Sequence, residues 1–365
     1  MVHENVDCRK SGRRPAKGAA APSVVVSRQG VPLMIKSHRH FGLLVAALVA
    51  LPSPPLRAGG DPVFSDDFEA GDTCGWGAGS AACPGFQISS PDVAIDPGEE
   101  ITYCYYVRTP NAAAIGIKRW ELTLGPTVHD AALFATYDFA GDPADRQPPG
   151  TMASTDCGLL AAGTRANWVF GAHASGQELL MPTDDGAGSP LAMEVLADQP
   201  MFLRIHFMNL TDTAIVDAVT LMAEALPAAT SYTPTASYMT YSTDISVGAG
   251  QTGSSTHTCG VPPGVQFWWL STETHKFATQ TKLQDGAVVL LTNTDWEAPV
   301  IATYSAPTFL DITAIGGLTY HCEYQNFTGG VVVTGDGPND ENCSAIGYFF
   351  PATQSYICFN NTTPI

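Results

Sequence analysis

The sequence contains little charge, and most of the charge it has is negative. Asp, Glu, Lys and Arg make up 14% of its 365 residues. From residue 59 onward, eight basic residues stand against 33 acidic ones. A surface of this sign repels nucleic acid and anionic membranes, so we expect neither as a partner.

Long helical patterns and familiar catalytic motifs are also missing. There is no long stretch with the hydrophobic period of an amphipathic helix, and no clear repeat of about 20 to 50 residues. GxSxG, HExxH and P-loop motifs do not occur, which removes the usual signatures of α/β-hydrolases, zinc proteases and P-loop nucleotide-binding proteins. No CxxC pair occurs either, so we expect no zinc–thiolate site.

What the sequence does contain is a series of short apolar segments with alternating polar residues. Five lie between residues 86 and 230 and five after residue 231, in a chain with 35 Gly and 27 Pro to form turns. This period of two, rich in β-branched and aromatic residues, predicts half-buried antiparallel strands. The segment 226–237, LPAATSYTPTAS, is the best candidate for a linker. We predict an all-β fold of two tandem β-sandwich domains, residues 86–230 and 231–365.

The N-terminal part of the chain has the features of an export signal. Lys36 and Arg39 precede an apolar run at 41–51, and small residues follow it. This is the layout of a secretory signal peptide at 34–58, and the run is too short to span a bilayer comfortably. We therefore predict that residues 1–33 are an over-extended start and that the mature protein is not inserted in a membrane.

Residues 59–85 form a Gly- and Asp-rich segment that contains Cys74 and Cys83. Its stretch FSDDFEAGDTCGW looks like a segment found just after the signal in many exported bacterial proteins. Removal of the leader leaves eight cysteines, and an even number in an exported chain predicts disulfides. We expect this segment to be a loop closed by its two cysteines. The predicted location is secreted, periplasmic or on the cell surface, in a bacterium.

Seven segments of the sequence follow one another in an informative order. They are ITYCYYVR (101–108), TVHDAALF (127–134), NWVFGAHASGQELLMP (167–182), FLRIHFMN (202–209), FWWLSTETHKFATQTKLQDG (267–286), LTYHCEYQN (318–326) and NDENCSAIGYFF (339–350). This ordered set resembles the two domains of the copper type II, ascorbate-dependent monooxygenases, the family of peptidylglycine hydroxylase and dopamine β-monooxygenase. The resemblance runs from about residue 100 to residue 358.

The resemblance implies a fold, cofactors and a disulfide pattern. The fold is a pair of jelly-roll-like β-sandwiches whose facing surfaces carry one copper ion each, with ascorbate as the reductant. The implied disulfides staple both domains and leave the two cysteines of the N-terminal loop to each other: Cys104–Cys157, Cys259–Cys358, Cys322–Cys343 and Cys74–Cys83.

In this family, two adjacent histidines and a third on a later strand hold the copper of the first domain. The corresponding residues here are His129, Asp130 and His206, so a carboxylate replaces one imidazole. Such a set can hold copper or zinc, and its ligand types are those of the facial triad of non-haem iron enzymes. Neighbours on a regular strand point to opposite faces, so Asp130 reaches the ion only if the strand departs from regular alternation. His173 matches no ligand position and is expected on a loop surface, with the alternative that His173, or a methionine such as Met208, replaces a lost ligand.

The copper of the second domain takes a His-x-His pair and a methionine in this family. Those positions fall on Glu273, His275 and Asn342. Imidazole serves both oxidation states of copper and thioether sulfur favours Cu(I), so the change to oxygen donors weakens oxygen activation. The resemblance therefore implies one or two copper ions, with reduced or no occupancy.

The residues that clamp the substrate in peptidylglycine hydroxylases are also replaced, by Ser271, Ser344 and Ile346. We therefore do not expect a peptide with a C-terminal glycine as the substrate.

Two functions remain open. One is an exported copper oxygenase that hydroxylates an unknown small or apolar molecule, with His275 and Glu273 as the catalytic pair. The other is a non-catalytic descendant of the fold, acting as a secreted module that binds a small molecule or a surface ligand.

Each candidate also has a plainer interpretation. His129 and Asp130 fit an exposed turn at the start of a strand. His206 fits a hydrogen-bonded strand histidine, and Glu273 with His275 fits a hydrogen bond on one strand face. The choice depends on whether the fold brings these side chains together.

Overall fold

A computed structural model describes residues 84–136, 146–155, 157, 166–335, 337 and 339–362. All of them belong to one compact unit, Ala70–Ile365. The predicted signal peptide and the predicted loop closed by Cys74 and Cys83 lie outside the described residues. Within the described part of the chain, no helix is long and apolar enough to cross a membrane.

The first part of the described chain, called here the first sandwich, consists of short strands in two main sheets. One sheet has the order β6-β3-β10-β5-β7, and the other has the order β1-β12-β4-β9-β13 with β8 beside β4; β2 and β11 form a separate pair. The strands are β1 Gly85–Ser89, β2 Val93–Ile95, β3 Glu100–Arg108, β4 Ile115–Leu124, β5 Val128–Thr136, β6 Met152–Ala153, β7 Ala166–Ala172, β8 Gln177–Leu180, β9 Leu191–Val195, β10 Pro200–Met208, β11 Ile215–Asp217, β12 Val219–Ala225 and β13 Thr233–Pro234.

The remaining strands form the second sandwich, again with two main sheets. Their orders are β20-β17-β23-β14-β24 and β16-β21-β18-β19, and β15 pairs with β22. The strands are β14 Ala236–Tyr241, β15 Ser246–Val247, β16 Thr252–Cys259, β17 Gln266–Thr274, β18 Ala278–Asp285, β19 Val288–Asn293, β20 Ala302–Thr303, β21 Leu318–Gln325, β22 Val332–Val333, β23 Cys343–Phe350 and β24 Tyr356–Phe359.

The prediction of an all-β fold of two jelly-roll-like sandwiches is confirmed. Strands adjacent in sequence alternate between sheets, as β3, β5 and β10 lie in one sheet while β4 and β12 lie in the other. Alternation of side chains builds the core: on β12, Val219, Leu221, Ala223 and Ala225 are buried while the residues between them are half-buried. β23 is buried along its whole length. Such a strand is covered on both faces.

The second face of β23 is covered by the first sandwich. The Tyr348 hydroxyl donates to the carbonyl of Val169 on β7 at 2.8 Å, and its ring stacks on Trp168 with ring centres 5.1 Å apart. One hydrophobic core cluster contains residues of both sandwiches. The sheets of the second sandwich are made only of strands after residue 235, so the sandwiches are separate in hydrogen bonding and continuous in packing. Their independence as domains stays a prediction.

Three disulfides join the described strands, with the pairing that the resemblance implied: Cys104–Cys157, Cys259–Cys358 and Cys322–Cys343. Disulfides of this kind persist in an oxidising compartment. One error of the strand prediction lies at the boundary between the two sandwiches. The expected linker 226–237 contains β13 and the start of β14.

Candidate metal centre

His129 and Asp130 lie at the start of β5, and His206 lies on the neighbouring strand β10. Asp130 is directly opposite His206 in the antiparallel register, whereas Phe207 is opposite Val128. His129 is therefore the extra residue of a β-bulge. A bulge places two residues of one strand against one residue of its partner and redirects their side chains. This is the departure from regular alternation that lets the adjacent His129 and Asp130 face the same point.

The three side chains converge on one carboxylate oxygen. Oδ2 of Asp130 lies 3.2 Å from Nδ1 of His129 and 3.0 Å from Nδ1 of His206. One ligand atom from each residue lies within 4.8 Å of the other two. Two ligands of a tetrahedral ion, each bonded at about 2.0–2.1 Å, are about 3.3 Å apart, so the spacing suits one shared ion. We call these three residues the ligand cluster.

Side chains around the ligand cluster hold its imidazoles in place. Nε2 of His206 faces Oε1 of Glu100 at 3.2 Å, and Lys276 lies 3.6 Å from the same carboxylate. A carboxylate behind a histidine is the usual outer partner of a metal-bound imidazole, because it fixes the ring and its tautomer. The indole of Trp296 stacks on the ring of His129, with centres 4.8 Å apart and an angle of 21°. Trp296 comes from the second sandwich, so both sandwiches contribute to this pocket.

The cluster also sets the charge of its own groups. Burial alone would raise the pKa of Asp130, but hydrogen bonds from His129 and His206, together with Arg204, hold that pKa well below its usual range. The hydrogen bond to Asp130 raises the pKa of His129. Asp130 is therefore an anion in the folded protein at neutral pH. An anionic carboxylate is the form that binds a metal ion.

Glu273 and His275, predicted as part of a separate second site, line the same pocket as the ligand cluster. Oε1 of Glu273 lies 3.9 Å from Nη1 of Arg204, which also lies 3.5 Å from Oδ1 of Asp130. Nδ1 of His275 donates to the backbone carbonyl of Asp340 at 3.0 Å. Burial, followed by the charge of Arg204, lowers the pKa of His275 to about 4. His275 is therefore a neutral imidazole with Nε2 as its unprotonated nitrogen.

Asn342 is not brought to this pocket. Its side chain is 3% exposed, and its Oδ1 accepts a hydrogen bond from Ser344 at 2.8 Å. The neighbouring Glu341 is also turned inward and accepts backbone N–H groups of His275 and Phe277. The structure thus joins two of the three residues expected at the second copper site and separates the third. Within the described residues, the ligand cluster is the one group of three His, Cys, Asp or Glu with such spacing.

The pocket itself is small. The space that the centre of a water molecule can occupy in it is about 20 Å³. Since one water needs roughly 10–15 Å³ by this measure, the pocket has room for an ion and about one water. Sites for drug-sized ligands are typically about 300–1,000 Å³. In this conformation the pocket suits ion binding better than the enclosure of an organic substrate.

Several pocket residues were missed by the sequence analysis, among them Arg204, Glu100 and Trp296. Arg204 could have been found, because it lies two residues before His206 on one strand and therefore on the same face, in a chain with few cations. Glu100 and Trp296 give no such signal, since only the pairing of β3 with β10 and the packing of the sandwiches bring them in. His173 was expected on a loop surface, whereas its ring lies edge-on to His129 in the pocket.

Comparison with known proteins gives distant structural likenesses and no family. No family model matches the chain, and no curated protein matches it. A structure of N-glycanase F (PNGase F) is 9% identical with a TM-score of 0.32, and the match covers 74% of this chain and 96% of that chain. PNGase F, a glycosylasparaginase from Flavobacterium meningosepticum, gives 9% identity, a TM-score of 0.31 and coverage of 74% and 97%. The major capsid protein P2 from bacteriophage PM2 is 7% identical with a TM-score of 0.28, and the match covers 72% of this chain and 97% of that chain. Likenesses at this level assign no function, and the resemblance to copper monooxygenases stays a prediction.

Proposed function

We propose that this protein binds one divalent metal ion, copper or zinc, through His129, Asp130 and His206. The observation that carries the proposal is the convergence of both Nδ1 atoms on the Asp130 carboxylate, 3.0 and 3.2 Å away. Imidazole and carboxylate together suit copper and zinc, and the donor set lacks the soft sulfur that Cu(I) prefers. We infer a metal-binding module of the exported double-sandwich fold, with a small molecule or surface ligand as its partner.

In this proposal each residue of the pocket has a defined task. The bound ion supplies a positive charge and, in the case of copper, one-electron redox chemistry. Asp130 provides the compensating charge and is anionic in advance of binding, because its pKa is held low. On binding, the ion would displace the proton that Nδ1 of His206 shares with Asp130, while Nε2–H of that ring stays directed at Glu100. Trp296 covers His129 and limits the access of water.

Titration of the purified protein with Cu(II) and Zn(II), followed by calorimetry and metal analysis, tests the proposal. We expect one ion per chain, and we expect Asp130→Asn to weaken binding at least about a hundredfold, since it removes a ligand and its charge together. Asp244→Asn is the matched control, because Asp244 also accepts from a buried histidine, His257, but lies outside the pocket. Absence of stoichiometric binding, or equal effects of the two variants, would contradict the proposal.

A second candidate function is copper-dependent hydroxylation with ascorbate and O₂, as the sequence resemblance implies. The observation that favours it is the state of His275, which lies in the pocket with Nδ1–H bonded to the Asp340 carbonyl. A backbone carbonyl behind a histidine is another usual outer partner of a metal ligand.

Oxygen consumption by the copper-loaded protein in the presence of ascorbate tests this second candidate. We expect the wild type to consume oxygen and His275→Ala to abolish this consumption. His321→Ala, which changes an exposed hydrogen bond of the second sandwich, should leave oxygen consumption intact. A copper-loaded wild-type protein that consumes no oxygen would leave only the metal-binding module.

A further inference from the structure

His173 carries a nitrogen that the described structure leaves unused. It follows directly after β7, the strand that pairs with β5, and its backbone N–H donates to Oε1 of Gln177 at 3.0 Å. Its Nδ1 is buried, and among the described residues it has no hydrogen-bond partner. A buried polar atom without a partner destabilises the folded state, so a native structure that keeps one needs a reason.

The position of this nitrogen supplies a reason. His173 lines the pocket of the ligand cluster, and its ring stands at 87° to that of His129 with centres 6.4 Å apart. Two imidazoles on one tetrahedral ion have ring centres roughly 5 Å apart. His129 and His206, at 5.3 Å, already satisfy this spacing. His173 lies outside the 4.8 Å group, and its ring centre is farther from His129 than that of His206, so it would have to move toward the cluster to join the same coordination shell.

We propose that His173 is the fourth ligand of the metal ion, closing a shell of three imidazoles and one carboxylate. The inference rests on the proposed function, since it needs an ion at the ligand cluster. It gives the chain a substitute for the imidazole that Asp130 replaces, from the residue that directly follows β7, the next strand of the same sheet. Its physical gain is twofold: the ion acquires a nitrogen donor, and the buried Nδ1 of His173 acquires a partner.

The test counts imidazole ligands in the full-length Cu(II)-loaded protein by pulsed electron paramagnetic resonance. We expect three coordinated imidazoles in the wild type and two in His173→Gln, with Cu(II) affinity at least about tenfold weaker in the variant. His257→Gln is the matched control, because Nδ1 of His257 is likewise buried without a partner among the described residues but lies in the second sandwich. That variant should keep three imidazoles.

The remaining outcomes separate the two proposals. Stoichiometric Cu(II) with two imidazoles in both the wild type and His173→Gln would overturn the role of His173 and leave the metal site intact. A wild-type protein that binds no Cu(II) would overturn both. A further measurement uses the wild type alone and does not depend on the folding of a variant: the visible spectrum of the Co(II)-loaded protein. Intense bands of four-coordinate Co(II) support a closed shell, and weak bands of six-coordinate Co(II) contradict it.

Discussion

In both sandwiches a buried asparagine fixes the turn that follows one central strand. After β10, Asn209 is fully buried, and its Nδ2 donates to the carbonyls of Ile95 at 3.0 Å and Thr213 at 2.8 Å. Its Oδ1 accepts from both the backbone and the hydroxyl of Thr211. The amide thus ties the end of β10 to β2 and to the loop that enters β11.

After β21, Asn326 repeats this arrangement atom by atom. It is fully buried, and its Nδ2 donates to the carbonyls of Val247 at 2.9 Å and Gly330 at 2.8 Å. Its Oδ1 accepts from the backbone and the hydroxyl of Thr328. β15 and β22 here take the places of β2 and β11. Both asparagines begin an Asn-x-Thr sequence, which here serves to fix a corner.

Alignment of the two corners shows that the β-bulge of the metal centre is repeated as well. In the second sandwich Ala278 is opposite Tyr324 and Gln280 is opposite Glu323, which makes Thr279 the extra residue. Thr279, Gln280 and Glu323 therefore stand where the first sandwich has the ligand cluster. Among the described residues the scaffold occurs twice, and the cluster of potential metal ligands occurs once. This difference teaches that the bulge creates a place for a site, while the side chains decide whether one exists.

The strongest test of this comparison is to transplant the ligands. The triple substitution Thr279→His, Gln280→Asp, Glu323→His should raise the number of bound ions from one to two, because the bulge already orients these positions. The new site should bind at least about tenfold more weakly than the natural one, since Thr252 stands where the first sandwich has Glu100. Metal analysis and Cu(II) titration measure both numbers. Glu323→His alone should add no ion, and a folded triple variant with one ion would break the comparison.

The corner asparagines should matter equally to both sandwiches. Asn209→Ala and Asn326→Ala each leave several buried backbone groups without partners, so we expect each to lower the free energy of unfolding by about 3 kcal/mol. Chemical denaturation monitored by tryptophan fluorescence measures this. Asn361→Ala, at an exposed residue that accepts one backbone hydrogen bond, should cost below about 1 kcal/mol. A loss confined to one corner would show that the likeness is geometric but not energetic.

Acid should destabilise the first sandwich through Asp130 more than the second through Asp244. Both carboxyls accept from histidine and have lowered pKa values, but the side chain of Asp244 is 55% exposed and that of Asp130 only 13%. A carboxyl with a lowered folded pKa stabilises the protein above its unfolded pKa of about 3.8, and this contribution is lost as the pH falls through the folded pKa. We therefore expect Asp130→Asn to flatten the acid dependence of metal-free stability below about pH 4. Asp244→Asn should flatten it less, and the reverse order would contradict the assignment.

Much of the fold could be predicted from the sequence because half-buried strands of a β-sandwich alternate polar and apolar residues. The segments 101–108 and 202–209 alternate polar and apolar residues, and they make up most of β3 and β10. Short or weakly alternating strands were missed. β16, TGSSTHTC, has few apolar residues and so gives little strand signal. Its pairing with β21 and its disulfide hold it in the sheet.

The candidate site was predictable in part. His129, Asp130 and His206 were found by resemblance, and the structure brings them together. Asn342 was assigned by the same route and does not line the pocket, because a position aligned in sequence carries no information about the direction of its side chain. The sequence analysis also missed the internal likeness of the sandwiches, because apart from the two Asn-x-Thr corners it rests on hydrogen-bond register and not on residue identity.

The sequence by itself determined the all-β class, the cysteines available for disulfides, and which residues could serve as ligands. These follow from side-chain chemistry and from the period of two along each strand. Only the tertiary structure decided that His129 and Asp130 face one point, that Glu100 and Trp296 support them, and that Glu273 and His275 share their pocket. The reason is physical: a bulge, a sheet register and the packing of two sandwiches are relations between distant segments, and a local pattern of residues does not encode them.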